Sequence, residues 1–261
     1  MPLTPLSEAS ATPAFKKIHL VATDMDGTLT QRGKFTSALF QSFEALAQAS
    51  IQVLIVTGRS AGWVNGLASY LPVAGAIAEN GGLFYSNLSE APEILTEIGD
   101  RTLHRQKLAQ TFQHLKTHFP QLQESMDNSF RLTDWTFDVQ GLSVSDLQQL
   151  GNLCQEQGWG FTYSNVQCHI KPLKQNKASS LMQVVNKHFP QLTPEQMLTV
   201  GDSPNDESLF DVSQFPLSIG VANVLEYANQ LNHLPTYATS KAEAEGFCEL
   251  AQFLVQSISS L

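Results

Sequence analysis

Short apolar runs alternate with amphipathic helical stretches along most of the chain. The apolar runs predict strands over residues 18–23, 51–57, 74–78, 197–200, 217–221 and, more weakly, 236–238. Apolar residues at helical spacing predict helices over 36–50 and 178–189, and Pro190 ends the second one. Several of these strands are apolar throughout and helices separate them. The pattern therefore predicts an α/β fold with a Rossmann-like, doubly wound parallel sheet.

A different order of elements interrupts this pattern between about residues 86 and 171. It predicts a helix near 103–119, a strand near 130–139, a helix near 144–157, and strands over 159–164 and 166–171. Such an order indicates a smaller α+β module inserted into the sheet domain. We therefore expect a flexible N-terminal tail (1–14), a core in two segments (15–86 and 172–261) and an inserted cap domain (87–171).

The strands of the module alternate between apolar and polar residues. Trp135, Phe137 and Val139 share one face of the first of them, and the later strands follow the same rule. These apolar faces should pack against the helices of the module. The opposite faces are polar and carry Asp134, Thr136, Asp138, Thr162, Ser164, Gln167, His169 and Lys171.

Composition narrows the range of partners. Hydrophobic residues make up 42% of the chain, and the net charge of −9 disfavours nucleic acid or an anionic membrane as the main partner. The three cysteines lack CxxC spacing, which is typical of free thiols in a reducing compartment. With no apolar run of about 20 residues and no signal-like N-terminus, we expect a soluble, cytoplasmic protein, a monomer or weak homodimer.

The strongest chemical signal follows the first strand. Asp24 and Asp26 lie in the sequence Asp-Met-Asp-Gly-Thr, where an open α/β sheet binds its ligands. The carboxylate of Asp24 is able to attack phosphorus, and Asp26 is able to act as general acid and base. Gly27 allows the chain to turn close to a ligand. The alternative is an ordinary turn rich in Asp and Gly.

A second acidic segment, Gly-Asp202-Ser-Pro-Asn-Asp206, follows the strand at 197–200. Asp206 fits a capping box that begins at Ser203, so it also has a purely structural explanation. Asp202 precedes the cap and escapes that explanation. If Asp24, Asp26, Asp202 and Asp206 converge, their charges require a cation, and oxygen ligands beside a phosphate favour Mg²⁺.

Two further segments supply candidate phosphate ligands. Thr57, Gly58 and Arg59 follow the second strand and open a helix, although most such tripeptides are simple turns. Lys177 begins the helix before the second acidic segment, and Lys171 and Lys174 compete with it for the same role.

Taken in order, these four motifs resemble the haloacid dehalogenase superfamily of phosphohydrolases, and the insertion looks like its type IIB cap. The resemblance implies Asp24 as nucleophile, Asp26 as acid and base, and Mg²⁺ held by the Asp24 side chain, the Asp26 carbonyl and Asp202. It implies that Asp206 acts through water or as a brace. The phosphate or substrate ligands that it implies are Thr57, Gly58, Arg59, Asn80, Lys177 and Asn205. Ala178 departs from the glycine that many relatives carry after the lysine.

The resemblance favours a magnesium-dependent phosphatase acting on a small phosphorylated metabolite, a sugar phosphate or phosphorylated glycoside. The sucrose-phosphate and mannosyl-phosphoglycerate types are the nearest examples. A phosphosugar mutase shares the same first step and stays open as an alternative. A non-catalytic phospho-acceptor is the third hypothesis.

Overall fold

The structure is a computed structural model that describes residues 3–11, 13–87 and 91–259. Within these residues the strands are β1 (Leu20–Thr23), β2 (Gln52–Val56), β3 (Gly75–Ala78), β4 (Leu83–Ser86), β5 (Glu93–Ile94), β6 (Trp135–Asp138), β7 (Gly160–Tyr163), β8 (Gln167–Lys171), β9 (Met197–Gly201), β10 (Ser218–Gly220) and β11 (Tyr237–Ala238). The α-helices are α1 (Ser37–Gln48), α2 (Ala61–Tyr70), α3 (Arg101–His118), α4 (Val144–Glu156), α5 (Lys177–His188) and α6 (Glu243–Ser259). No helix in the described ranges combines the length and the apolar character that crossing a bilayer requires.

Eight strands form the main sheet in the order β11-β10-β9-β1-β2-β3-β4-β5. The pairs from β11 to β3 are parallel, and β4 and β5 extend that edge in antiparallel register. Two apolar clusters lie on opposite faces of this sheet, because successive side chains of a strand point to opposite sides. Val53 and Ile55 of β2 face the cluster built with α1 and α6, whereas Leu54 and Val56 face α5. The predicted α/β class with a mostly parallel sheet is confirmed.

The hairpin of β4 and β5 differs from the sequence prediction. Glu93–Ile94 lies in the range expected for the insertion, yet it pairs with β4 at the edge of the main sheet. One charged and one apolar residue form no pattern that indicates a strand, and this strand exists only because it pairs with the existing edge of the sheet.

The N-terminal segment also differs from the expected loose tail. Residues Leu6–Ala11 form a 3-10 helix, and Leu6 and Ala9 are buried in the core. Pro5 forms a parallel bridge with Ala238 at the outer strand. Leu6 and Ala9 are three residues apart, so a 3-10 helix places them on one face. The small polar residues around them give the segment the composition of a loose tail.

The inserted region forms a second sheet in the order β6-β8-β7, with antiparallel pairing throughout. Phe137, Cys168 and Ile170 pack with Leu108 and Leu150 of α3 and α4, as the alternation predicts. We call the polar face of this sheet and the loop 126–134 before it the cap face. Buried polar side chains occupy the cap face, including Thr136, His169 and Lys171, because that face lies against the main domain.

Candidate active site

The candidate site forms where β1, β2 and β9 end. β1 pairs in parallel with both of the other strands, so their carboxyl ends meet at one edge of the sheet. Asp24 follows β1, Thr57 follows β2 and Asp202 follows β9. The backbone N–H of Asp24 donates to the carbonyl of Val200, which continues the ladder one residue past the strand.

Three carboxylates meet at this edge. One oxygen from each of Asp24, Asp202 and Asp206 lies within 4.8 Å of the others, and all three residues are buried. Asp26 does not join this cluster. Its carboxylate instead accepts from Arg59, with Nε 2.8 Å from Oδ2 and Nη2 2.6 Å from Oδ1.

Lys177 is fully buried beside the three carboxylates. Its Nζ lies 2.5 Å from Asp24 Oδ1 and 2.6 Å from Asp206 Oδ1. Lys171 instead donates to the carbonyl of Gln175, and Lys174 is exposed. Of the three competing lysines, Lys177 is therefore the one that the structure places beside Asp24.

Asp202 is held by two neutral donors. Thr28 Oγ1 donates to its Oδ1 at 3.0 Å, and Asn223 Nδ2 donates to its Oδ2 at 2.8 Å. Gly27 lies directly against this carboxylate, with φ of +82°, and a Cβ there would stand 2.5 Å from Asp202 Oδ2. Only glycine combines this backbone conformation with so close an approach.

Asp206 has both of the roles that its sequence position suggests. Its Oδ2 accepts from the backbone N–H groups of Asp202 and Ser203, at 3.0 and 3.2 Å, and so caps the 3-10 helix Pro204–Phe210. Its Oδ1 pairs with Lys177. The same side chain therefore fixes the turn that carries Asp202 and holds the lysine in place.

Burial controls the protonation of this cluster. Burial raises the pKa of Asp24 to about 7, with Asp206 and Asp26 adding to the effect and Lys177 opposing it. Burial and the neighbouring Asp24 raise the pKa of Asp202 well above its ordinary value. Burial alone would lower the pKa of Lys177, but the two carboxylates outweigh it and the pKa rises. These shifts show how poorly the carboxylates tolerate their shared charge without a further cation.

The remaining predicted ligands surround the loop after β2. The N–H of Asn80 donates to the carbonyl of Thr57, which ties the loop to the turn after β3. Asn205 donates from Nδ2 to Asn80 Oδ1 at 3.1 Å. Thr57, Gly58, Arg59 and Asn205 line one cavity with Asp24 and Asp26.

The cap face closes this cavity from above. Ser164, Val166, Gln167 and His169 form the opposite wall, and the free space between the two walls is only about 10 Å³, roughly the room that one water molecule needs. Arg131 joins the two halves, because its Nη1 donates to the carbonyl of Gly58 at 2.9 Å while the guanidinium pairs with cap carboxylates.

Sequence reasoning missed two of these supporting residues. Asn223 follows β10, so the rule of strand ends that indicated Asp24 and Asp202 would also have indicated Asn223. Arg131 carries no such signal. It lies in a loop, and only the tertiary fold brings it to Gly58.

The fold and this site define a phosphatase of the haloacid dehalogenase superfamily that carries a cap domain. The chain belongs to the sucrose-6F-phosphate phosphohydrolase family, whose model matches residues 17–254. The resemblance carried by the four motifs is thereby confirmed at the level of the superfamily.

Curated relatives of similar length carry another name. The chain is 27% identical to the phosphoglycolate phosphatase of Methanothrix thermoacetophila, over 89% of this chain and 95% of that protein. It is 26% identical to the phosphoglycolate phosphatase of Archaeoglobus fulgidus, over 91% and 97% of the two chains.

Solved structures share the fold at lower identity. A Thermoplasma acidophilum protein superposes with a TM-score of 0.73 at 18% identity, covering 91% of this chain and 98% of that one. The Synechocystis sucrose-phosphatase, in complex with sucrose and phosphate, gives 0.66 at 18% identity, with coverage of 90% and 97%.

Proposed function

We propose that the chain is a magnesium-dependent phosphomonoesterase that transfers the phosphoryl group of its substrate to Asp24 and then to water. The observation that carries this proposal is the buried cluster of Asp24, Asp202 and Asp206 with Lys177 at the ends of parallel strands. Three carboxylates against one ammonium leave an excess negative charge in a buried place.

The donor set fits Mg²⁺. All three side chains offer oxygen, the ligand that this ion prefers, and one oxygen of each lies within 4.8 Å of the others. We expect Asp24, Asp202 and the Asp26 carbonyl to hold it, with Asp206 acting through water or as a brace. When bound, Mg²⁺ would neutralise charge on the phosphoryl oxygens.

The protein residues account for each bond change. A carboxylate oxygen of Asp24 attacks phosphorus while the ester P–O bond breaks. Asp26, which first releases Arg59 and takes up a proton from solvent, gives that proton to the departing oxygen. Asp26 then takes a proton from water as that water attacks the phosphorus of the acyl phosphate. The bond between Asp24 and phosphorus breaks, inorganic phosphate leaves, and both carboxyl groups return to their first state.

Thr57 and Lys177 are the proposed phosphate ligands. Thr57 and the amides of residues 58–60 lie just before α2, at the end of the helix that favours anions. Lys177 balances the charge of Asp24 and lies within reach of a phosphoryl group bound to it.

For the substrate we propose a sugar phosphate or a related phosphorylated polyol. The family description and the polar cap face support this class. Phosphoglycolate is a second candidate, because the curated relatives carry that name.

Replacing the proposed nucleophile tests the reaction. We expect Asp24→Asn to lower magnesium-dependent phosphate release by at least about 10³-fold while the circular dichroism spectrum is unchanged, because an amide oxygen is a poor nucleophile. The matched control is Asp138→Asn, which removes an exposed carboxylate from the cap sheet. Undiminished turnover in Asp24→Asn would refute the assignment.

A substrate panel tests the rest of the proposal. It should contain a hexose phosphate, sucrose phosphate, mannosyl-phosphoglycerate and phosphoglycolate, with free phosphate and sugar isomers followed together. A phosphatase should release free phosphate and form no sugar isomers. An isomerised hexose phosphate would favour the mutase, and a stable phosphoprotein without turnover would favour the phospho-acceptor.

A further inference from the structure

A buried donor near the cavity has no partner. Asn80 is 1% exposed, and its Nδ2 has no hydrogen-bond partner among the described residues. Two hydrogen bonds fix the orientation of the Asn80 amide. Asn205 Nδ2 donates to Asn80 Oδ1, and Ser203 Oγ donates to Asn205 Oδ1. An unpaired buried amide donor costs free energy, and a ligand hydroxyl that bonded to it would recover that cost.

The cap supplies an acceptor beside this donor. His169 is buried in the cavity wall, and its Nδ1 lies 2.8 Å from Asp134 Oδ2. Asp134 in turn accepts from Arg131 at 3.0 Å. A carboxylate partner places the imidazole proton on Nδ1 and leaves Nε2 as an acceptor. Burial lowers the pKa of His169 despite the opposing effect of Asp134, which keeps the ring neutral.

Gly58 brings the two groups together. Asn80 Nδ2 and His169 Nε2 each lie 3.1 Å from the position that a Cβ on Gly58 would take. One comes from the core and the other from the cap, and both lie beside Gly58 of the proposed phosphate loop. The two nitrogens are therefore separated by at most about twice that distance. A donor and an acceptor so close together match a hydroxyl group, which both accepts and donates.

We propose that Asn80 and His169 together bind one hydroxyl of the substrate's leaving group, and that this pair selects phosphate esters of neutral polyols. Asn80 donates to the hydroxyl oxygen, and the hydroxyl donates to His169 Nε2. Asp134 and Arg131 are positioning residues that fix the ring. The inference rests on the proposed phosphatase function and deepens it by naming how the substrate class is recognised.

The charges around the cavity favour a hydroxyl over a carboxylate. Arg59 is the one cation among the described lining residues, and Asp26 occupies its guanidinium in a two-point contact. Arg131 is committed to Asp127, Asp134 and the Gly58 carbonyl. While Asp26 stays paired with Arg59, a carboxylate on the leaving group would therefore meet a neutral acceptor at His169 and no unpaired cation.

Three matched esters test the selection. Hydroxyethyl phosphate, ethyl phosphate and phosphoglycolate share a two-carbon skeleton and differ only at the second carbon, which is a CH2OH group, a methyl group or a carboxylate. We expect the wild-type kcat/KM for hydroxyethyl phosphate to exceed that for ethyl phosphate by about tenfold or more. It should also exceed that for phosphoglycolate.

Two variants test the residues. His169→Phe keeps a planar ring without the acceptor, and Asn80→Gly removes the donor at a position whose φ is +53°. In each, the hydroxyethyl-to-ethyl ratio should fall to about one third of the wild-type value or less. The matched control His118→Phe, on the exposed side of α3, should keep the wild-type ratio. Since both substrates are measured on the same sample, a lower folded fraction cancels from the ratio.

The outcomes distinguish a failure of this inference from a failure of the proposed phosphatase function. Magnesium-dependent hydrolysis of p-nitrophenyl phosphate reports the phosphatase alone. Suppose that activity is present. The inference alone is then overturned if the wild type shows no preference for the hydroxyl ester or prefers phosphoglycolate. It is also overturned if both variants keep the wild-type ratio. If the wild type hydrolyses no ester, the proposed function and this inference fail together.

Discussion

At the scale of single residues, Glu79 is the buried acid that joins the core to the cap. Its carboxylate accepts from the N–H groups of Ala61, Leu132 and Thr133 and from the Thr133 hydroxyl, at 2.6 to 3.0 Å. Ala61 begins α2 after the phosphate loop, whereas the other two residues belong to the cap face. Burial, with Asp134 adding to it, raises the pKa of Glu79 to about 7 in spite of these donors.

This raised pKa predicts a dependence of stability on pH. Between pH 4.5 and about 7 the unfolded chain has lost a proton that the folded chain keeps, so the free energy of unfolding falls as pH rises. Relative to Glu79→Gln, we expect the metal-free wild type to lose up to about 3 kcal/mol across this window and nothing further above it. Urea unfolding at a series of pH values measures this difference.

Glu156→Gln is the control, because Glu156 is an exposed residue of α4. Its stability difference from the wild type should be nearly constant across the same pH range. A difference between the wild type and Glu79→Gln that also stays constant, or that grows with pH, would contradict the account of Glu79.

At the scale of elements, helix caps position the catalytic groups. Asn176 caps α5, its Oδ1 accepting from the N–H of Ser179 at 2.8 Å, and Lys177 is the first residue of that helix. Ser143 caps α4 in the same manner, within a capping box completed by Asp146. The two helices thus begin alike, but only α5 carries a residue of the proposed site.

The two caps therefore form a matched pair of predictions. We expect Asn176→Ala and Ser143→Ala each to lower the free energy of unfolding by about 1 kcal/mol. Only Asn176→Ala should also reduce kcat by severalfold, because it loosens the turn that directs Lys177 to Asp24. Urea unfolding and steady-state kinetics test this. Equal turnover in the two variants would show that the cap of α5 does not control the site.

At the scale of the whole molecule, two sheets enclose one cavity. The main sheet contributes the acidic cluster, and the cap face contributes the neutral hydrogen-bonding groups. Contacts between the halves include Arg131 with the Gly58 carbonyl and Tyr163 Oη with Gln230 Oε1, at 2.6 Å. The two sheets contribute different groups because of the topology. The strand ends of the main sheet hold the proposed reacting groups, and the inserted sheet lies where the leaving group would bind.

The sequence predicted those parts that depend on periodicity and on strand ends. Local patterns indicate the parallel character of the main sheet and the alternation of the cap strands. They also indicate the positions of Asp24 and Asp202. The burial of Leu6, the edge strand Glu93–Ile94 and the reach of Arg131 depend on distant partners, so no local pattern indicates them. The pairing of Asp26 with Arg59 is of the same kind, because it joins two loops that are far apart in sequence.

The most direct test of the central claim is to trap the phosphoryl group on Asp24. In Asp26→Asn the base for the second step is absent, whereas p-nitrophenyl phosphate needs little acid assistance in the first. Rapid mixing with magnesium should release about one p-nitrophenolate per enzyme, and acid-quenched peptide mapping should place the phosphoryl group on Asp24. A label on another residue, or turnover with no burst and no label, would contradict the account.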